Sequence, residues 1–167
     1  YHGIIGKYDL NNGSQIWMKN WYGNQPKTEM YSIDVYKDEI YITGVSHILG
    51  PISGYVDFFI CKFDLDGNLL WSKIIDETFS NLFYSIKLHD DFIYVCGHEM
   101  GISILLKYDI DGNKIWSKTY EIPGTNFGEF IDIEIYNDYI YTDGQTDSED
   151  NTRQDLLVAK IDLNGEL

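Results

Sequence analysis

Cysteine, proline and basic residues are all scarce in this chain, and each scarcity excludes something. Two cysteines, Cys61 and Cys96, are too few for a disulfide framework and form no CxxC zinc motif. They fall on different strands of different repeat copies and are not expected to pair. Three prolines occur, and no long stretch has helical spacing. No apolar run reaches about 18 residues, so no membrane-spanning helix and no membrane insertion are expected. No signal-peptide pattern is present, in a chain that opens mid-repeat at Tyr1. Twelve basic residues stand against 27 acidic ones, a formal net charge of −15. Such a surface repels nucleic acid and anionic membranes, so no nucleic-acid partner is expected. The surplus either serves solubility or draws cations such as Ca²⁺. The motifs HExxH, GxSxG, GxGxxG and Walker A are all missing.

Aromatic residues, by contrast, make up 16% of the chain, and 14 of its 167 residues are tyrosine. Tyrosine, isoleucine and phenylalanine favour pleated, half-buried surfaces, so the composition leans to β structure. An apolar fraction of 44% excludes a disordered tail.

The chain repeats itself. Lys-x-Asp followed by a glycine turn occurs at Lys7–Asp9, Lys62–Asp64, Lys107–Asp109 and Lys160–Asp162. A tryptophan follows the first three, at Trp17, Trp71 and Trp116. Asp-x-Ile-Tyr-x-x-Gly occurs at Asp38–Gly44, Asp91–Gly97 and, with Tyr-Ile-Tyr inside, Asp138–Gly144. Each copy resolves into four strands, A to D. Strand A of the first full copy, Tyr31 to Tyr36, alternates Ile33 and Val35 with polar neighbours. A tight turn at Lys37-Asp38 leads to strand B, Glu39 to Thr43, with Ile40 and Ile42 on one face and Tyr41 on the other. Strand C, Asp57 to Phe63, is nearly all apolar and is expected to be buried on both faces. Asp66-Gly67 reads as a two-residue hairpin turn with positive φ at both central residues. Strand D, Asn68 to Ile74, carries Trp71. Copies span 1–29 (partial), 30–76, 84–120 and 130–167 (lacking its last strand).

Four antiparallel strands in a period of about 50 residues are the pattern of a β-propeller blade. The fold class expected is therefore all-β: about three blades of a partial propeller, in one domain. Two open blade faces require more blades, supplied by a longer chain of which this is a fragment or by a second copy.

The stretch Tyr41-Ile42-Thr43-Gly44, a variable loop, then Gly54 to Gly67 resembles the SBBP type of β-propeller repeat, as does Gln154 to Gly165. The resemblance implies a secreted or cell-surface protein and brings no catalytic residues. The spacing Asp64/Gly67/Trp71, repeated at Asp109/Gly112/Trp116, also resembles pyrroloquinoline-quinone propellers, whose tryptophan docks blades and says nothing of the cofactor.

The A–B and C–D turns are tight in every copy, while the long B–C and D–A connections share the opposite end. Variable loops on a rigid scaffold are where binding residues sit, so this loop face is the expected binding face for a protein or glycan. The B–C loop of the middle copy is only about five residues, His98 to Ile102. His47 and His98 follow strand B in successive copies and, with Glu99, would offer a metal site; the alternative is a pair of solvent-exposed loop histidines. Asp147, Glu149 and Asp150 would supply oxygen ligands to Ca²⁺ or form a solvated acidic loop. Trp21, Tyr22 and Tyr55 would stack on sugars or anchor loops. Asp64-x-Asp66-Gly67 and Asp109-x-Asp111-Gly112 resemble the start of a calcium loop but read first as hairpin chemistry. Recurrence of the lysines and aspartates in every copy argues for a structural role, since one active site needs no fourfold repetition. No cofactor is expected, with Ca²⁺ as the alternative.

The first reading is a non-catalytic binding or scaffold module. The second is a piece of an enzyme propeller (a quinoprotein dehydrogenase, lyase or hydrolase), for which Asp34, Lys87 and Glu134 on successive A strands would line a central channel.

Overall fold

The computed structural model describes residues 3–21, 27–47, 56–75, 81–148 and 153–167, which hold thirteen β-strands and no helix. Two strands, β1 (Gly3–Tyr8) and β2 (Gln15–Trp21), form the first sheet. The second runs β3 (Lys27–Tyr36), β4 (Glu39–His47), β5 (Val56–Asp64) and β6 (Leu69–Ile75). The third runs β7 (Asn81–His89), β8 (Phe92–Glu99), β9 (Ile102–Asp109) and β10 (Lys114–Tyr120). The fourth has β11 (Thr125–Tyr136), β12 (Tyr139–Ser148) and β13 (Gln154–Asp162). All are antiparallel meanders whose members follow chain order.

Two turn chemistries set the register. Every A–B connection is a two-residue turn with both residues left-handed: Lys37-Asp38, Asp90-Asp91 and Asn137-Asp138, with φ from 46° to 65°. This is the primed hairpin turn that matches strand twist. Aspartate tolerates left-handed φ better than most side chains, so Asp38, Asp91 and Asp138 open their motif for a backbone reason.

The C–D connections differ from the sequence expectation. Gly67, Gly112 and Gly165 have φ of 72° to 81°, while Asp66 and Asp111 before them do not have positive φ. The Gly67 N–H donates to the Asp64 carbonyl at 3.0 Å, and the ladder shifts register between Lys62 and Phe63. The turn is thus a type I turn closed by a left-handed glycine, not a two-residue primed turn. Asp64 caps it: Oδ1 accepts the N–H of Asp66 (3.0 Å) and Asn68 (2.8 Å), and Oδ2 accepts from Asn68 Nδ2. Asp109 repeats this with Asp111 and Asn113. These donors hold the carboxyls of Asp64, Asp109 and Asp162 below their ordinary value of 3.8. The cap's contribution is present above that value and is lost as the pH falls through the lowered one.

The recurring glycine of the second motif answers a bulge. Strand A carries an extra residue at Tyr31, Tyr84 and Ile131, where the A–B register shifts. The bulge drives a carbonyl onto the partner strand: a Cβ at Gly44, Gly97 or Gly144 would lie about 2.0 Å from the oxygen of Glu29, Leu82 or Glu129. Only glycine fits.

Between sheets the core divides into three layers. Ile5 of the first sheet meets Ile40, Ile42, Phe59, Cys61 and Phe63 of the second. Tyr41, Phe58 and Ile60 on the other face of the second sheet meet Phe83, Ile86, Ile93, Val95 and Leu106 of the third. Tyr94, Leu105 and Tyr120 of the third meet Phe130, Ile133, Ile140 and Ile161 of the fourth. Strand C of the middle sheets is buried on both faces, as expected. Cys61 and Cys96 are both buried and unpaired, and burial pushes both thiols up.

Each D-strand tryptophan seats on the next sheet's C–D glycine. Trp17 lies against Gly67, Trp71 against Gly112 and Trp116 against Gly165. Two residues on, a lysine stacks over the same indole at 5.8 Å and reaches past it: Lys19 to Asn68, Lys73 to Asn113, Lys118 to Glu166. Inner strands are clasped too. Asp34 Oδ2 accepts the Leu88 N–H at 2.8 Å, and Lys87 pairs with Glu134 at 2.8 Å. Asp34, Lys87 and Glu134 therefore join neighbouring A strands. The recurrent Lys62 and Lys107 stack on Tyr41 and Tyr94, and Lys62 pairs with Glu39 at 2.7 Å.

Gly97→Ala should cost about 3 kcal/mol through the carbonyl clash. Gly13→Ala, where nothing lies within 4 Å of the added carbon, should cost about 1 kcal/mol for its left-handed φ alone. Urea denaturation midpoints of the two variants check this; equal losses would rule out the bulge as the reason for the glycine.

Candidate functional site

The loop face is shaped by strands that run further than their sequence pattern suggests. β4 continues to His47 and β8 to Glu99. The middle B–C connection is therefore not a five-residue loop but a two-residue turn, Met100-Gly101, with φ of 50° and 83°. Glu99 pairs directly with Ile102 across it. Gly101 is required twice, by its φ and because a Cβ would stand 2.9 Å from the Phe127 ring.

This turn and the β10–β11 connection border an open concavity of about 620 Å³, lined by Gly101, Tyr120, Glu121, Ile122, Asn126 and Phe127 among others. The walls are fixed by short bonds. The Gly128 N–H donates to the Gly101 carbonyl at 2.7 Å. Thr125 Oγ1 donates to the Ile122 carbonyl at 2.8 Å, and Tyr120 OH donates to the Gly165 carbonyl at 3.1 Å.

Behind the cavity sits a polar cluster. His98 is buried, which overturns the expectation of a solvent-exposed loop histidine. Its Nδ1 accepts the Gly101 N–H at 3.3 Å, which places the neutral ring's proton on Nε2, 3.8 Å from Glu129 Oε2. Glu129 is buried too, and accepts from Tyr84 OH at 2.9 Å and Gln145 Nε2 at 2.6 Å. A row of rings crosses three sheets: Tyr31 on Tyr84 at 6.1 Å, Tyr84 on His98 at 6.1 Å, His98 on Phe127 at 5.4 Å. Burial lowers the His98 pKa from its ordinary value of 6.5, against the opposing pull of Glu129. Burial and the Glu129 carboxylate together push the Tyr84 hydroxyl far up, so it stays a donor. The chemistry available is hydrogen bonding and aromatic contact in a preformed concavity, and protonation of His98 at Nδ1 would remove the acceptor of the Gly101 N–H.

The other sequence candidates fare unevenly. His47 lies at the end of β4, opposite Lys27 and Val56; its side chain, like Tyr22, Tyr55, Glu149 and Asp150, lies outside the described residues. Glu99 ends β8, half-exposed. Asp147 stands on a strand, paired with Gln154, rather than in a loop. Trp21 packs on Phe59 at 5.0 Å, a core contact rather than a sugar platform. The carboxylates of Asp64 and Asp109 are committed to their turns, which answers the calcium-loop resemblance. Among the described residues, His89, Asp90 and Asp138 form a three-group cluster, at the A–B turn end away from the loops; its His89 Nε2 is 3.5 Å from Asp138. Sequence reasoning missed Glu129, Tyr84 and Gln145, because the bulge at Ile131 breaks the alternation that would have flagged a buried glutamate.

No known family profile matches the chain, and no curated protein does. The fold does have solved counterparts. The chain is similar to one in a crystal structure of a nidogen/laminin complex, with a TM-score of 0.53 and 15% identity. The match covers 97% of this chain and 61% of that one. At that identity the likeness shows the fold alone, and with the stacked four-stranded sheets it defines a β-propeller.

Stability should fall as the pH drops from above 6.5 toward the lowered His98 value, since only the unfolded chain binds the proton in that interval. His98→Asn keeps an acceptor for Gly101 and removes the titration. Its stability–pH curve should be flatter than wild type by at most about 1.4 kcal/mol per pH unit. Parallel curves in thermal melts would show that His98 does not carry the effect.

Proposed function

We propose that this chain is a non-catalytic binding module built from propeller repeats of the SBBP type, part of a larger secreted or cell-surface protein, with a protein ligand held at its loop face. The observation that carries it is the preformed cavity walled by Gly101, Ile122 and Phe127, at the one end of the sheets where the connections vary. At the turn end the C–D turns of the second, third and fourth sheets are built alike, and Asp64, Asp109 and Asp162 are spent on capping them. A preformed concavity that joins apolar groups such as Ile122 and Phe127 to fixed polar ones such as Thr125 is where a ligand is expected to bind.

Three features support the reading. The motif residues that recur in every copy all have structural work: glycines relieve the bulge, tryptophans dock sheets, aspartates close turns. The strand-A charges that a channel chemistry would use are engaged between sheets. The structurally similar nidogen/laminin chain comes from a complex of proteins, and Lys62 to Gly67 supports the repeat type.

An NMR screen of short peptides and oligosaccharides against the labelled chain tests this. Peptide hits should shift Gly101, Ile122 and Phe127, and Phe127→Ala should weaken them about tenfold, worth ~1.4 kcal/mol. Hits confined to the A–B and C–D turns would overturn the placement, and hits only among oligosaccharides would replace the ligand class.

A further inference from the structure

Two junctions between sheets can be compared residue by residue at their A–B turns, because β7 packs against both β3 and β11. Between the second and third sheets the turns meet in an ion pair. Lys37, in the β3–β4 turn, donates from Nζ to both carboxylate oxygens of Asp91, at 2.6 and 2.8 Å. Tyr36 backs the pair: its ring lies 5.2 Å from the ammonium, and its hydroxyl accepts the Asp91 N–H at 3.2 Å.

Between the third and fourth sheets the same three positions hold His89, Asp90 and Asp138. Asp138 corresponds to Asp91, but the lysine is replaced by Asp90 and the tyrosine by His89. A cation facing a carboxylate has become a carboxylate facing a carboxylate, and like charges that close repel. Among the described residues, the ion-pair partner of both is His89.

The two replacements complement each other. His89 Nε2 is buried and has no hydrogen-bond partner among the described residues. It lies 3.6 Å from Asp90 Oδ2 and 3.5 Å from Asp138 Oδ1. One ligand atom from each residue falls within 4.8 Å of the others. The two histidine spacings are long for hydrogen bonds. They are close to the edge of a tetrahedron of zinc ligands, roughly 3.3 Å for bonds of about 2.0–2.1 Å. The turns that carry the carboxylates are tight, with φ of 48° at Asp90 and 61° at Asp138.

We infer that His89, Asp90 and Asp138 form a zinc-binding site, one imidazole nitrogen and two carboxylate oxygens, with the fourth position left to water. An imidazole in the set selects a transition ion over Ca²⁺ and Mg²⁺, which take oxygen ligands. Two ligands come from the third sheet and one from the fourth. The ion therefore does between these sheets what the Lys37 ammonium does between the previous pair. Because the unfolded chain does not hold the three groups together, binding raises stability.

The test titrates zinc chloride into the chelator-treated chain, followed by calorimetry and thermal melts. One zinc should bind per chain and raise Tm, an effect that Mg²⁺ and Ca²⁺ at the same concentration should not reproduce. The His89 Nε2 resonance should move in nitrogen-15 histidine spectra. The substitutions use residues that the fold already accepts at these positions. His89→Tyr copies Tyr36 and Tyr136, and Asp90→Asn copies Asn137. Each should weaken binding about tenfold or more, since even the partners of a metal ligand are worth that much. Asp90→Lys copies Lys37: without zinc it should melt above the zinc-free wild type, and zinc should no longer raise its Tm. An equal rise in Tm with Mg²⁺ would reduce the effect to charge screening and overturn the site. So would unchanged affinity in His89→Tyr or Asp90→Asn, an Asp90→Lys chain still stabilised by zinc, or binding lost on His47→Ala instead.

Discussion

A propeller sheet has two apolar faces and no way to hide both by itself, so everything here depends on how one sheet grips the next. That grip is the seating of an indole on a glycine. The C–D turn leaves its glycine bare, and the flat ring of Trp17, Trp71 or Trp116 covers it. The lysine two residues later lies along the ring and hydrogen-bonds or ion-pairs with the residue just past that glycine. An aspartate whose carboxylate accepts the turn's own N–H groups keeps the turn in shape. Apolar burial between the sheets supplies most of the stabilisation; the tryptophan and its turn supply the alignment, since a large ring on a single bare backbone site allows little sliding.

Much of this was legible in the sequence. Four strands per copy, the tight turn at Lys37-Asp38, the apolar C strands and the structural role of the recurrent tryptophans all follow from local patterns that agree with the final packing. The type of C–D turn was not legible, because Asp-Gly serves both a two-residue primed turn and a type I turn with a left-handed glycine. What decides between them is the capping by Asp64, two positions earlier. The reach of β4 and β8 beyond their motif glycines was hidden as well, since edge-to-edge pairing can continue through polar residues.

The site was read less well than the scaffold, for a physical reason. Alternation identifies buried positions only while the strand keeps its pleat. At Ile131 it does not, and Gly128, Glu129 and Phe130 are buried in succession. Glu129 therefore looks like a surface residue in the sequence and lies inside the structure, while His98 lies near the end of a strand buried on both faces, where alternation gives no signal. The turn end was the legible one, because tight turns leave recognisable glycines and aspartates; at the other end the described connections are Met100-Gly101 and residues 121–124.

The bulge on strand A acts as a frameshift in side-chain parity. Below it, toward the A–B turn, odd positions such as Ile133 and Ile135 face the preceding sheet; above it the parity is reset. The two halves of one strand therefore answer to different constraints: the turn half must keep the apolar phase on which stacking depends, while the loop half is released from it. Such a strand can exchange Glu29 for Leu82 or Glu129 from copy to copy without disturbing the stack, so diversity at one end and uniformity at the other are written into a single inserted residue.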